Sequence, residues 1–365
     1  MEPNMISEAD IDRIDISNGS GDTPTTQEVD EENKKIIRKT ALKAYSTMGF
    51  AVFIFGIVEI AASVLFQLGI SPFLKDKLSG EIIKYVFGII IPIYCIALPV
   101  FYMIAKRIRP QESHKEKMSF GKLLGFWAMC MPVMYLGNII GTVLSRVINQ
   151  DSVNSIEVLL QESSLIQVVT VCVLGPIVEE FVFRKTIIDR TRRYGEKYAI
   201  FFSALLFGLF HFNFFQFFYA FGLGAVFGYI YIKSGKIQYT MGLHMLINFM
   251  GSVLAQKLIK AEEIIGGTQE LARLSDDQMR NLLSDPQKAL AFGYITLYSI
   301  MVLILVISGI VLWIVNLHRK SLKCNETYEY KFAMQKMGLK LFVNFGTVMF
   351  YLLAVIMFIS ALFFK

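Results

Sequence analysis

Long apolar blocks dominate the chain, in place of the short hydrophobic–polar alternations of a soluble domain. Nine of them, near 47–74, 82–105, 122–145, 164–186, 197–212, 214–232, 238–256, 289–317 and 341–364, are long enough to cross or nearly cross a bilayer. In hydrocarbon only a helix satisfies all its own backbone groups without closing into a barrel. The pattern therefore predicts an all-α polytopic membrane protein, with about eight or nine transmembrane helices around a polar intramembrane cavity. No internal repeat of the transporter or solenoid kind is visible.

The polar remainder divides the chain. Residues 1–33 hold ten acids against the single base Arg13 and few apolar side chains. They are expected to form a disordered acidic cytoplasmic tail, not a signal peptide, because a basic start and an early apolar core are both missing. Residues 34–163 read as the first group of membrane helices and 164–256 as a core rich in intramembrane polar groups. Residues 257–288 read as an extramembrane insertion of one or two surface helices serving as a solvated connector, and 289–365 as the last membrane helices.

Composition agrees with a membrane class. The 365 residues are 54% hydrophobic, with mean hydropathy +0.51 and 31 Phe against 2 Trp. The net charge of +6 is spread over the ends of apolar blocks and forms no basic domain, which argues against a nucleic-acid partner. Cys95, Cys130, Cys172 and Cys324 include no C-x-x-C pair and read as buried thiols, in preference to a disulfide framework or a metal cluster. Segments on the side of the N-terminus carry 25 Lys and Arg, against 10 on the other side. The positive-inside rule places the protein in the cell membrane as a multi-pass chain with a cytoplasmic N-terminus.

Within the fourth block, Glu179 and Glu180 follow Gly175-Pro176-Ile177-Val178 and precede Arg184. A charge at bilayer depth costs at least about 2.5–3.5 kcal/mol and persists only with a partner or a task. Arg184, one turn after Glu180, can neutralise it. Glu179 points about 100° away. Two of the four histidines also lie in apolar helices: His211, one turn after Phe207, and His244, one turn before Asn248. The other two, His114 and His318, fall in basic loops. Each feature alone reads as helix–helix hydrogen bonding. Together they make a polar cluster that suits water activation, with a carboxylate as base and a His–Asn pair donating to an oxyanion. Glu179, His211 and His244 are equally the residue types of an open Zn²⁺ site. The spacing leaves both chemistries open, and no stoichiometric cofactor is expected.

Glu179-Glu180-x-x-x-Arg184, Phe207-x-x-x-His211 and His244-x-x-x-Asn248 resemble, in order, the three motifs of the CAAX-protease and bacteriocin-processing family, also called CPBP or Abi. The resemblance spans roughly residues 165–255. It implies an intramembrane glutamic endopeptidase, of a family long labelled metalloprotease. It also implies that Glu179 and His211 activate water, that His244 and Asn248 hold the oxyanion, and that Glu180, Arg184 and Phe207 support them. Substrates so implied are membrane-associated peptides: a prenylated C-terminus, a leader-bearing bacteriocin or pheromone, or another membrane protein. Lys185 departs from the small residue often found after the motif Arg. The oligomeric state is not legible.

A non-catalytic transporter or an immunity or scaffold protein is the alternative reading of the same cluster, since intramembrane acids and histidines also relay protons. There is no H-E-x-x-H or G-x-G-D motif, and Ser203 lacks the glycine-flanked setting of a serine nucleophile. Glu59, isolated in the first block, reads as a paired or snorkelling acid, Cys172 as a packing thiol, and Asn138 between Gly137 and Gly141 as a packing residue.

The orientation is testable by cysteine labelling in intact cells. A cysteine placed at position 20 is expected to be shielded from an impermeant thiol reagent and one at 270 to react; labelling at 20 in sealed cells contradicts a cytoplasmic N-terminus.

Overall fold

The computed structural model describes residues 24–111, 115–152, 154, 164–267, 275–324, 330–334 and 337–363. All its regular elements are helical. They are α1 (Pro24–Leu65), α2 (Gly80–Ala105), α3 (Phe120–Ile148), α4 (Leu165–Tyr194), α5 (Glu196–Phe210), α6 (Phe214–Ser234), α7 (Ile237–Phe249), α8 (Ala255–Ile265), α9 (Asp276–Ser284), α10 (Pro286–His318) and α11 (Phe345–Phe363). Short helical turns prolong α1 to Leu74 and join α7 to α8.

Seven helices among the described residues are long and apolar enough to cross a membrane: the α1 run, α2, α3, α4, α6, α10 and α11. The eight or nine expected from the apolar blocks therefore reduce to seven by that measure. The block at 197–212 folds as α5, whose 15 residues span only about 22 Å against a hydrocarbon core of about 30 Å. The block at 238–256 folds as α7, where His244 and Asn248 dilute the apolar run. Both shortfalls fall on helices that carry site residues.

Boundaries follow local chemistry. Ser119, Ser164 and Asn213 accept backbone N–H groups at the starts of α3, α4 and α6. Asp285 does so before Pro286 at the start of α10. Gly235, at φ 62°, closes α6. The expected acidic tail is shorter than 1–33, because α1 already runs from Pro24. Adding residues to an existing helix costs far less than starting one. Residues 1–23 lie outside the described residues. The 257–288 segment is likewise more than a solvated connector: Ala261 and Ile265 of α8 are buried against Ala291 and Ile295 of α10. Its residues 268–274 lie outside the described residues.

The helices pack by close backbone approach at glycines. α6 runs along both α5 and α3, and α1 along α11. A Cβ on Gly137 would come within 2.5 Å of the Tyr219 backbone nitrogen, and one on Gly141 would fall on the Phe214 carbonyl. The Gly137–Gly141 pair thus acts as the small-residue seam between α3 and α6. At the α1–α11 crossing, Gly346 backs onto the Ser46 carbonyl and Gly49 onto Thr347. The largest buried cluster gathers Phe55, Phe101, Phe183, Phe202, Phe207 and Phe350 from α1, α2, α4, α5 and α11.

Gly346→Ala therefore tests the seam. The added Cβ should cost about 1–3 kcal/mol of overpacking, read as a lower melting temperature in detergent. Gly293→Ala, whose Cβ meets nothing within 4 Å, should melt at or above wild type; equal melting of the two variants contradicts this packing.

Candidate functional site

The carboxylate pair sits where α4 changes winding. Thr170–Leu174 is π-helical, Gly175–Glu180 is a single α-helical stretch, and Phe181–Ile188 is π-helical again. Such local π turns redirect side chains without ending a helix. Here they point Glu180 into the protein, with its side chain 0% exposed, and leave Glu179 31% exposed at the edge.

Glu180 is the hub. Its Oε2 lies 3.2 Å from Arg184 Nε, an ion pair not aligned as a hydrogen bond. Its Oε1 accepts a 2.9 Å hydrogen bond from His244 Nδ1. The Thr240 hydroxyl, one turn before His244, donates to the Ile237 carbonyl at 3.0 Å. His244 Nε2 faces Glu179 Oε2 at 3.4 Å. One imidazole thus bridges both carboxylates, and a ring protonated on both nitrogens meets each with an N–H. The expected Glu180–Arg184 pairing is present, with His244 added to it.

Aromatic rings close the centre. The Arg184 guanidinium lies 4.3 Å above the Phe207 ring and 5.4 Å from that of Phe227, a contact of about 2 kcal/mol or more where water is excluded. Phe207 also meets the His211 ring edge-on at 4.9 Å and the His244 ring at 5.8 Å. One phenylalanine therefore spaces the motif Arg from both motif histidines.

His211 caps α5, where the chain turns sharply through Phe212 at φ 55°. Asn213 Nδ2 holds that turn by donating to the His211 carbonyl at 2.7 Å. His211 Nδ1 lies 2.9 Å from the Phe207 carbonyl. A carbonyl only accepts, so Nδ1 carries the proton and a neutral ring keeps its lone pair on Nε2. No hydrogen bond joins His211 to Glu179 among the described residues. Asn248 is half-buried on α7 and donates from Nδ2 to the Val171 carbonyl of α4 at 2.9 Å. Its own carbonyl accepts from Ser252 Oγ at 2.6 Å, and Ser252 in turn pairs with the Cys172 thiol at 3.2 Å.

Three groups that the sequence did not single out for the site lie within electrostatic range of Glu179. Glu59 of α1 and Tyr94 of α2 interact with its charge, as does Tyr219 of α6. The Tyr94 hydroxyl also donates to the Leu174 carbonyl, five residues before Glu179. Glu59 was expected to be paired or snorkelling. It makes no ion pair among the described residues and lies within electrostatic range of Glu179 instead. On α1 it stands one turn beyond Phe55 and Gly56, which pack on Phe210 and Phe212 beside His211. Its isolation in an apolar block was the available signal; nothing distinguished Tyr94 and Tyr219 among 16 tyrosines.

Among the described residues no group of three or more His, Cys, Asp or Glu could hold a metal ion. Both His244 nitrogens face carboxylates, and His211 Nδ1 faces a carbonyl. Ser203 is buried and donates to the Phe183 carbonyl at 2.6 Å, so its hydroxyl is engaged in helix packing. His318 lies exposed at the end of α10, and His114 lies outside the described residues.

Comparison with known proteins centres on this region. Residues 161–250 match the family described as type II CAAX prenyl endopeptidase Rce1-like. The chain is also similar to the membrane-embedded CAAX protease MroQ of Staphylococcus aureus (strain USA300), at 28% identity over 204 residues, covering 52% of this chain and 81% of that one. No solved structure matches. All three motifs fall inside the matched segment.

Removing one partner of the buried pair should expose its cost. Glu180→Gln and Arg184→Gln are each expected to lose about 3–5 kcal/mol of stability, the range for an orphaned buried charge, seen as reduced detergent-extracted yield and melting temperature. Wild-type melting of either variant contradicts the pairing.

Proposed function

With residues 161–250 belonging to the CAAX-protease and bacteriocin-processing family, we propose that this membrane protein is an intramembrane endopeptidase. It hydrolyses a peptide bond in a membrane-associated peptide, such as a prenylated or leader-bearing one, and Glu179 activates the water. One observation carries this reading: of the two adjacent carboxylates, Glu180 is sealed by Arg184 and His244, while Glu179 remains partly exposed beside them.

In the proposed reaction a water molecule gives a proton to Glu179 as its oxygen attacks the scissile carbonyl carbon. The C–N bond then breaks, and the proton passes to the departing amine. His211, with Nδ1 held by the Phe207 carbonyl, presents Nε2 to the same water as an acceptor. His244 keeps the Glu179 carboxylate in place. The oxyanion falls to Asn248 on α7, which has one amide N–H on Val171 and a second left to donate, both His244 nitrogens being turned to carboxylates. The transporter or scaffold reading draws no support from the family matches.

The test is proteolysis by the purified full chain in liposomes. The probes are a farnesylated peptide with a CAAX-type C-terminus and an unprenylated apolar leader peptide, with products read by mass spectrometry. Wild type is expected to cleave at least one. Glu179→Gln, nearly isosteric but unable to act as a base, should fold normally and lose at least about 10²-fold in rate. A folded wild type that cleaves neither probe, or a Gln variant of near-wild-type rate, overturns the proposal.

A further inference from the structure

The contact between Asn248 and Val171 answers a defect that the sequence builds into α4. In the π-helical turn the Gly175 N–H reaches back five residues to the Thr170 carbonyl. The next bond in that register would run from residue 176 to Val171. Residue 176 is proline and has no N–H to give. The Val171 carbonyl is thereby released inside the membrane, where an unsatisfied backbone group is costly. Asn248 Nδ2 arrives from α7 and donates to it at 2.9 Å.

We infer that Asn248 is a positioning residue: its amide replaces the N–H that Pro176 lacks and so fixes the bend that aims Glu179 and Glu180. Pro176 stands three residues before Glu179, and Asn248 one turn after His244. The same two helices are joined a second time through His244 and the carboxylates. Two ties, one helical turn apart on α7 and more than two turns apart on α4, fix both the spacing and the rotation of α4 against α7. With the Val171 tie cut, α4 can pivot about the Glu180–His244 bond, which moves Glu179 relative to His211. The Cys172–Ser252 contact lies beside the tie and couples to it through the Asn248 carbonyl.

The functional arm of this inference rests on the proposed endopeptidase reading; the structural arm does not. Both are read by a double-mutant cycle of Asn248→Ala and Pro176→Ala, since the second substitution supplies the missing backbone N–H. With Pro176 in place, Asn248→Ala is expected to lower the melting temperature by several degrees. It is also expected to lower kcat on the farnesylated probe peptide at least about tenfold with little change in KM, as a misplaced catalytic group does. In the Pro176→Ala background both losses should shrink, the kcat loss that remains being that of the Asn248 N–H donated to the oxyanion. If Asn248→Ala fails to fold alone, recovery of folding in the double variant supports the inference, and failure in both backgrounds overturns it. Equal losses of melting temperature in both backgrounds show that Asn248 does not stand in for the proline N–H. Coupled melting with an uncoupled kcat loss removes the positioning role. A wild type inactive on the peptide sinks the proteolytic reading while the melting cycle still decides the contact.

Discussion

A carboxylate that cannot leave the membrane interior, Glu180, is the constraint around which the central helices are arranged. Sealed from water, it needs compensation from more than one side. Arg184 supplies it from its own helix and His244 from α7. Arg184 is buried in turn, and its guanidinium rests on Phe207 and Phe227 from α5 and α6. Four helices are thus committed to a single compensated charge group. Replacing such a group with hydrocarbon is often neutral or stabilising, so its retention here is better explained by the geometry it imposes on its neighbours than by stability.

That geometry separates two chemically identical neighbours. Glu179 and Glu180 differ by one position, yet the π turns on either side of them turn one inward and leave the other at the edge. His244 touches both, so the sealed carboxylate holds the ring that holds the half-exposed one. Polar groups from helices that the motifs do not include also lie within electrostatic range of Glu179: Glu59 on α1, Tyr94 on α2 and Tyr219 on α6. The first helices are therefore walls of the site as well as membrane anchors.

The sequence made much of this legible because hydrocarbon penalises polarity. An apolar run marks a helix, and a charge or histidine within it marks a function, so Glu179, Glu180, Arg184, His211, His244 and Asn248 all stood out. The i, i+4 spacing of Glu180 and Arg184 was enough to foresee their pairing. What stayed hidden depended on pairings across the chain. No local signal says that His244 turns both nitrogens to carboxylates, since residues 180 and 244 meet only in the fold. The π winding of α4 was invisible apart from Pro176, whose missing N–H marks the place but not the partner. Seven of the apolar blocks have the length and apolarity of a full span among the described residues, while α5 and α7 trade apolar length for site residues. The boundary of the acidic tail moved because a helix, once formed, extends through acids that would not start one.

In the proposed reaction Glu179 acts on water and forms no bond to the substrate, and the roles of its neighbours depend on this. Single-turnover cleavage of a probe peptide, with enzyme in excess and water labelled with heavy oxygen, tests it most directly. Direct attack by activated water predicts one heavy oxygen in the new peptide carboxylate and none in the enzyme. An unlabelled product with the label carried on the Glu179 carboxylate would mean that an acyl-enzyme had formed there, and the water-activating role of Glu179 would be wrong.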